Sequence, residues 1–227
     1  MANFQLSQFD PINLPPTPMT INTYSFTNDW FSSVEPLFRS LFTSVQIESV
    51  LEIGCFEGRS TCFFIDHLST KGLKQLVCID TWRGGREHLS DGTDMESVYA
   101  RFLDNTRLAT VHHSNGLNLS VMREESTVAL SKLLSDSIRP QFDFIYIDGS
   151  HNAADVLFDC VASFNLTRLG GIIALDDYAW CQRDDRGKDL SSSPKQAIDA
   201  FTTIFFNKLE IIHCSNKTWI IQKTANL

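Results

Sequence analysis

Acidic residues follow three short apolar runs in this sequence, and their types and positions could support chemistry. Asp80, Asp148 and the pair Asp176-Asp177 each stand at the end of such a run. If these runs are buried parallel strands, their carboxyl ends lie along one edge of a sheet, where ligands bind in open α/β folds. Burying several carboxylates together is costly unless a cation lies between them. All-oxygen donors suit Mg²⁺, Mn²⁺ or Ca²⁺. We therefore predict that Asp148, Asp176 and Asp177 hold a divalent metal; the alternative is that they are solvated turn or capping aspartates.

His151 is the candidate base of this group, because it follows Asp148 by three residues. In the first turn after the strand its imidazole could remove a proton from a hydroxyl that the metal holds. The alternative is a solvent-facing histidine at the start of a helix.

A glycine-bearing turn between a predicted strand and a predicted helix is the second candidate site. The apolar run 49–53 is short and ends at Gly54, which predicts a buried strand. Gly54 and Gly58 let the backbone approach a ligand closely, and the first N–H groups of the following helix favour an anionic group. Phe56 stands where the dinucleotide-binding motif has its middle glycine, so the turn is of nucleotide-binding type without the full motif. Asp80 lies 26 positions after Gly54, near the spacing at which an acidic residue meets ribose hydroxyls.

Alternating strand and helix patterns predict the elements that position these residues. The predicted strands are 49–53, 75–80, 111–114, 142–148, 172–177, 209–212 and 219–222, and the predicted helices are 27–45, 60–68, 95–108, 123–136, a helix capped by Ser150 with Val161 on its inner face, and 195–208. Such alternation predicts a parallel sheet with helices on both faces. The closing hairpin predicts a final antiparallel strand inserted into that sheet.

Composition limits the classes of function. The 227 residues are 43% apolar and 20% charged, as in a globular protein, and the net charge of −8 argues against nonspecific binding to nucleic acid or anionic membranes. The sequence has no 18-residue apolar run and no basic-then-apolar start, so we predict a soluble, cytoplasmic protein. Six cysteines occur without C-x-x-C spacing, which favours reduced buried thiols over disulfides or a zinc site. Residues 1–25 are predicted to be a proline-rich arm, and 26–227 one domain.

Several aromatic residues could surround an acceptor molecule. Trp82, Tyr178 and Trp180 could be walls of a pocket or ordinary packing, and Phe26, Trp30 and Phe31 could roof it or cover the sheet as part of a helix. The mixed-charge loop 178–193 is a candidate lid or a solvated surface.

The ordered set of motifs resembles the class I S-adenosylmethionine (SAM)-dependent methyltransferases. Within them it resembles the bacterial methyltransferase family 24 branch, which is similar to the metal-dependent catechol and antibiotic-sugar O-methyltransferases. The resemblance covers about residues 45–222 and is carried by Leu51-Glu52-Ile53-Gly54-x-x-x-Gly58-x-Ser60, Asp80-Thr81-Trp82, Asp148-Gly149-Ser150-His151, Gly170-Gly171 and Leu175-Asp176-Asp177. It implies a Rossmann-like, doubly wound seven-stranded sheet whose last strand is antiparallel.

The resemblance also implies roles for individual residues. The SAM-binding residues it implies are Glu52, Gly54, Cys55, Phe56, Glu57, Gly58, Ser60, Asp80, Thr81, Trp82, Ser114, Asn115 and Asp148. Asp148, Asp176 and Asp177 match metal ligands, and His151 stands where catechol-type members place a lysine base. A metal-bound hydroxyl would ionise with help from His151, and its oxygen would attack the sulfonium methyl.

We therefore predict SAM-dependent O-methylation of a small hydroxylated molecule or sugar, assisted by Mg²⁺ or another divalent cation. Three alternatives remain: a metal-independent methyltransferase whose Asp176 and Asp177 only shape the pocket, a nicotinamide-dependent oxidoreductase, and a noncatalytic scaffold that binds a partner through its proline arm. The sequence leaves the acceptor open, and also whether the protein is a homo-oligomer.

Overall fold

A seven-stranded sheet forms in the part of the chain that the computed structural model describes, residues 23–85, 88, 90–113, 116–136, 141–184 and 187–227. Its strands are β1 (Ser49–Ile53), β2 (Gln75–Ile79), β3 (Asn118–Met122), β4 (Phe142–Ile147), β5 (Thr167–Leu175), β8 (Leu209–Cys214) and β9 (Trp219–Lys223). Two further short strands, β6 (Arg183–Asp184) and β7 (Gly187–Lys188), pair only with each other.

Helices pack on both faces of the sheet. They are α1 (Glu35–Ser44), α2 (Arg59–Leu68), α3 (Met95–His112), α4 (Ser126–Ser135), α5 (Ala153–Leu166) and α6 (Pro194–Ile204), with 3-10 turns at Trp30–Ser33, Ser69–Lys71 and Leu190–Ser192.

The strand order is β3-β2-β1-β4-β5-β9-β8. The first five strands in this order pair in parallel, whereas β9 lies antiparallel between β5 and β8. This confirms the predicted fold class and the antiparallel C-terminal strand inserted into the sheet. The order reverses at β1 and β4, which places the carboxyl ends of these two strands at the crevice where open α/β sheets bind ligands.

Residues alternate along each strand between two apolar cores. In β4, Phe144 and Tyr146 face the core under α1, α2 and α3, whereas Ile145 and Ile147 face the core under α4, α5 and α6. The first core is rich in aromatic rings, with Phe38 5.4 Å from Phe144 in an edge-to-face contact. Such pairs contribute about 0.5–1.5 kcal/mol beyond the burial of their area. Burial on both faces explains why the strands are almost continuously apolar.

The predicted third strand was wrong. Residues 111–112 belong to α3, which extends to His112, and the strand lies at Asn118–Met122. The Asp94 carboxylate caps the start of α3 by accepting from the N–H groups of Glu96 and Ser97. The buried side chains of α3 run on at helical spacing to Ala109, so tertiary packing continues the helix through a segment of strand-like composition.

Other boundaries also differ from the prediction. The helix expected over 27–45 is a 3-10 turn followed by α1, because the ring of Pro36 blocks the backbone hydrogen bonds that a continuous helix would need there. Asn152 caps α5 instead of Ser150, and Val161 is 37% exposed although it was expected on the inner face. β5 begins at Thr167 and includes Gly170 and Gly171 at an irregular register, where a side chain at Gly171 would meet the Phe142 carbonyl.

Candidate active site

A cavity of about 660 Å³ opens at the carboxyl ends of β1, β2, β4 and β5. Gly54, Asp80, Asp148 and the pair Asp176-Asp177 all line it, so the structure brings together the glycine turn and the three strand-end acidic positions. Its size lies within the range of small-molecule sites. Ser114 and Asn115, which the resemblance implies for the cofactor, lie outside the described residues.

The glycine turn depends on Gly54, which has a φ of +86°. A Cβ at this position would lie 2.1 Å from the Asp148 carbonyl oxygen, so a side chain would push the β1 and β4 ends apart. The Asp80 carboxylate holds the turn from the other side: its Oδ2 accepts from the Cys55 N–H at 2.8 Å and from the Phe56 N–H at 3.0 Å. The turn is thus shaped by backbone contacts to both neighbouring strand ends.

Three non-glycine residues at this edge have a positive φ: Phe56 (46°), Trp82 (48°) and Asp177 (52°). Such conformations cost about 1–3 kcal/mol each and concentrate at functional sites. Trp82 stabilises the conformation of Phe56, because the Trp82 indole Nε1 donates to the Phe56 carbonyl at 2.8 Å.

Trp82 is only 1% exposed, packs against Tyr99 and Phe102, and does not line the cavity. It therefore supports the turn from beneath, which corresponds to the packing alternative that the sequence left open for it. Tyr178 is also absent from the lining; its ring stacks on Trp219 at 4.7 Å. Trp180 does line the cavity.

Glu52 lies beneath the turn, fully buried, and its carboxylate accepts from the hydroxyls of Ser60 and Thr61. Burial raises its pKa to about 7, although the hydroxyl hydrogen bonds partly offset this. Ser60 borders the cavity, whereas Glu52 and Gly58 do not. Glu52 therefore contacts the start of α2 and not the cavity directly.

The N-terminal strap (residues 23–33) covers the turn and roofs the cavity. The buried Glu57 carboxylate accepts from the Thr27 N–H and from the Thr27 hydroxyl, both at 2.7 Å, and pairs with Arg101 at 2.6 Å. Its carboxylate is thus bound to the strap and to α3. Trp30 lines the cavity with its ring 5.3 Å from that of Phe56.

Two side chains fasten the strap further. Asn105 exchanges hydrogen bonds with the Ser25 backbone, and Arg59 donates to the Asn28 carbonyl at 2.7 Å. Of the aromatic residues proposed as a roof, Trp30 and Phe31 line the cavity, and Phe26 does not.

The acidic end of the cavity is a dense polar cluster. Asp176 Oδ2 accepts from the Tyr146 hydroxyl at 2.5 Å and its Oδ1 from the Thr218 hydroxyl at 2.5 Å, while the Tyr146 hydroxyl lies 3.0 Å from Asp148 Oδ2. Burial raises the pKa of Asp148 well above its usual value, and the charges of Asp176 and Asp177 raise it further.

Asp177 lies beside side chains that can donate a proton or carry a positive charge. Its Oδ2 lies 3.1 Å from His151 Nε2, and its Oδ1 lies 3.8 Å from the Lys217 ammonium. Burial would raise the pKa of Asp177, but the contacts with His151 and Lys217 outweigh burial and lower it. The His151 ring stacks on Trp180 at 3.8 Å, so the imidazole is oriented from two sides.

Sequence reasoning missed Tyr146, Lys217 and Thr218. Tyr146 stands two residues before Asp148 in a strand, so the two-residue period of strands could have placed both on one face. Lys217 and Thr218 carry no such local signal. They reach the cluster only because β9 pairs with β5, with Trp219 opposite Leu175.

The three aspartates match a hard divalent cation in donor chemistry, since they offer oxygen ligands alone. Several of their lone pairs already accept hydrogen bonds from Tyr146 and Thr218. Among the described side chains, three possible metal-ligand atoms that all lie within 4.8 Å of one another occur not in the aspartates but in Glu52, Cys55 and Cys78.

Comparisons with known proteins agree with this geometry. Residues 51–178 match a family described as "Methyltransferase domain". An O-methyltransferase from Bacillus cereus, in complex with SAH, superposes with a TM-score of 0.59 at 17% identity over 88% of this chain and 84% of that one. TomG from Streptomyces achromogenes, an O-methyltransferase involved in tomaymycin synthesis, in complex with SAM, gives 0.59 at 17% identity over 85% and 80%. Cofactor-bound Rv0187 from MTB gives 0.58 at 15% identity over 90% and 85%.

No protein with a curated description matches the sequence significantly. In the described part of the chain, none of the helices has the length and apolar character needed to span a membrane.

Proposed function

The chain belongs to the methyltransferase domain family and has the class I SAM-dependent fold, and we propose that it transfers the methyl group of SAM to a hydroxyl oxygen of a small molecule or sugar. The observation that carries this proposal is the shared cavity: the glycine turn borders one part of it, and His151 with the aspartate cluster borders another. A methyl donor at the turn and an acceptor hydroxyl at the cluster would therefore meet inside one enclosure.

The turn supports SAM binding through its backbone. Gly54 leaves room for close approach, and Asp80 and Thr81 border the same part of the cavity. Asp80 Oδ2 accepts from the Cys55 and Phe56 N–H groups, and Oδ1 accepts from the Trp82 N–H. Oδ1 has a second lone pair that could accept from a ribose hydroxyl. Structures related in fold contain SAM in TomG and SAH in the Bacillus cereus enzyme.

His151 is the proposed base. Its Nε2 lies 3.1 Å from Asp177 Oδ2, and a carboxylate only accepts, so we assign the hydrogen to Nε2 and the lone pair to Nδ1. Nδ1 would take the proton of the acceptor hydroxyl as its oxygen attacks the methyl carbon and the carbon–sulfur bond breaks. Asp177 would stabilise the imidazolium that forms, and Trp180 would keep the ring in place.

We also propose that Asp148, Asp176 and Asp177 hold a divalent cation. The support is electrostatic: burial and neighbouring charges raise the pKa of Asp148, as expected for clustered carboxylates that lack sufficient cationic compensation. When bound, such a cation would lower the pKa of an acceptor hydroxyl.

A metal-independent transferase is the second candidate, because Lys217 and His151 already lie beside Asp177. In this version the Lys217 ammonium compensates the carboxylates, and neutral His151 removes the proton without help from a metal. Both versions share the turn, the cavity and the methyl donor.

The experiment that tests the proposal is calorimetric titration of SAM, followed by transfer of a labelled methyl group to a panel of vicinal diols and sugars, each with Mg²⁺ and then with excess chelator. We expect SAM binding in both conditions and product only with Mg²⁺. Product that survives chelation selects the metal-independent version. An absence of SAM binding in both conditions would contradict the whole proposal.

A double variant, D176N with D177N, separates the two versions further. We expect it to bind SAM normally and to lose the response to Mg²⁺, because two proposed ligands are gone. Asp104→Asn, a change on the exposed side of α3, is the matched control and should behave like the unchanged protein. Loss of SAM binding in the double variant would assign the pair a structural role.

A further inference from the structure

A second cluster of ligand-type side chains lies at the glycine turn. Glu52, Cys55 and Cys78 place one carboxylate oxygen and two sulfurs within 4.8 Å of one another, and all three residues are buried. Cys78 Sγ is 3.8 Å from Glu52 Oε2, and Cys55 Sγ is 3.7 Å from the Ile79 carbonyl oxygen. We call this trio the thiol–carboxylate site.

The fold itself brings the three together. Glu52 and Cys78 are register partners on the parallel strands β1 and β2, so both point toward the core under α1, α2 and α3. Cys55 follows three residues after Glu52, in the turn whose N–H groups bind Asp80. Because the two cysteines come from separate elements, their sequence spacing of 23 positions could not reveal the pair.

We propose that the thiol–carboxylate site binds one thiophilic cation, Zn²⁺ being the biologically common one. Two sulfurs and one carboxylate match the ligands that zinc takes and differ from the all-oxygen set of the aspartates. Cys55 also borders the cavity, which provides a route for an ion to the site. On binding, each cysteine loses its thiol proton and forms a sulfur–metal bond, so two thiol protons leave for each Zn²⁺ bound, and Glu52 adds up to one more where it is protonated.

The cation weakens SAM binding, a consequence that rests on the proposed function. Glu52 accepts from the hydroxyls of Ser60 and Thr61, and the Cys55 N–H donates to Asp80. Drawing Glu52 and Cys55 toward a metal changes both sets of contacts and with them the shape of the turn. The site therefore acts as an inhibitory zinc site for the transferase.

The test uses Cd²⁺, because cadmium–thiolate bonds absorb in the ultraviolet. The starting protein is the full chain with C181S and C214S, which removes the half-buried and the exposed thiol. We expect one Cd²⁺ per chain with a cadmium–thiolate band. Adding C55S or C78S should weaken binding by more than about tenfold, as the loss of groups that hold a metal does. C160S, a buried thiol in the other core, is the matched control and should leave binding unchanged.

A second measurement on the C181S/C214S starting protein needs no change at the site and covers the case in which C55S or C78S fails to fold. Calorimetry of Zn²⁺ binding in two buffers of different ionisation enthalpy should show release of two to three protons per ion. Binding at the aspartates alone would release no thiol proton and at most about one proton in total, from Asp148. No cadmium–thiolate band, a band unchanged in both C55S and C78S, or release of one proton or fewer would overturn the proposal.

SAM titration with and without Zn²⁺ then separates this inference from the proposed function. We expect Zn²⁺ to lower the apparent SAM affinity of the starting protein. Zinc binding with no SAM binding in either condition would contradict the transferase and leave the metal site standing. Zinc binding with unchanged SAM affinity would overturn the inhibitory role, and SAM binding with no zinc binding would overturn the site alone.

Discussion

His151 is held by two contacts of different kinds, a ring stack on Trp180 and a polar contact with Asp177. Together they restrict both the plane of the imidazole and its rotation within that plane. A base that is already held in this orientation loses little conformational freedom when it removes a proton, which lowers the barrier.

Changing His151 to Gln should lower kcat by about 10²–10⁴-fold, the usual contribution of a positioned acid or base. SAM affinity should stay unchanged, since the proposed SAM contacts come from the glycine turn and Asp80, whereas His151 contacts Trp180 and Asp177. The measurement is steady-state kinetics with calorimetry of SAM. A variant with unaltered kcat would remove His151 from the mechanism.

Asp159 on α5 shows a different kind of constraint, since its carboxylate is fully buried. Among the described residues neither of its oxygens has a hydrogen-bond partner of normal geometry. Burial raises its pKa to about 7, although the nearby Ser126 hydroxyl partly lowers it. The folded state therefore keeps a proton that the unfolded chain loses near its ordinary pKa of about 4.

This shift predicts a pH-dependent stability. As pH rises from about 4 to about 7, the unfolded state binds fewer protons than the folded state, so the contribution of Asp159 to stability falls. At pH 8 the Asp159→Asn variant should be more stable than the unchanged protein, by at most about 4 kcal/mol. Near pH 4.5 the advantage should disappear. Urea unfolding at both pH values measures the difference in the free energy of unfolding, with Asp104→Asn as the control. An equal effect of Asp159→Asn at the two pH values would contradict the raised pKa of Asp159.

The strap is the element that connects the chain's N-terminal region to the cavity. Its contacts are polar and specific: Glu57 binds Thr27, Asn105 binds Ser25, and Arg59 binds Asn28. The acceptors and donors come from the turn, α3 and α2. The position of the strap therefore depends directly on the position of the glycine turn.

Changing Glu57 to Gln should loosen the strap, because the charged acceptor of Thr27 and Arg101 is lost. We expect a destabilisation of about 1–3 kcal/mol, typical of a hydrogen bond to a charged group, and faster amide exchange at Thr27. Glu48→Gln is the matched control: its pair with Lys74 is exposed, with side chains 40% and 70% accessible, and should contribute about 0–1 kcal/mol. Equal effects of the two changes would argue against a strap held by Glu57.

At the scale of the whole molecule, two structural units meet at one edge: the sheet with its turn, and the strap that roofs it. The described contacts of the strap begin at Tyr24, whose hydroxyl donates to Asp66 at 2.8 Å. The boundary proposed at residues 25 and 26 thus falls inside a segment that packs on the domain.

Truncation tests this organisation. A chain of residues 23–227 should bind SAM as the full chain does, since every contact described at the cavity is retained. A chain of residues 34–227 lacks Trp30, Phe31 and the Thr27 contacts, and should bind SAM more weakly. Calorimetry on both chains checks this. Equal affinity in the two would show that the strap does not contribute to cofactor binding.

Much of the molecule was predictable from local patterns. The short apolar runs ended by Gly54, Asp80, Asp148 and Asp176 identified four strands and the edge at which they meet, because strand period and glycine conformation are local properties. The prediction of the third strand failed because 111–114 has a strand-like composition, whereas α3, whose buried side chains continue at helical spacing to Ala109, includes the first two of these residues.

Tertiary structure alone decided which side chains share the site. Lys217 and Thr218 reach Asp177 and Asp176 because β9 enters beside β5, and Cys55 meets Cys78 because β1 and β2 pair in register. The sequence also left open whether Trp82 forms a wall of the pocket or packs in the core, whereas in the structure its indole supports the turn by donating to the Phe56 carbonyl. The sequence by itself determined the fold class and the strand-end carboxylates, since these follow from residue order. It could not determine contacts between distant segments, which depend on strand pairing and on the cores that pairing creates.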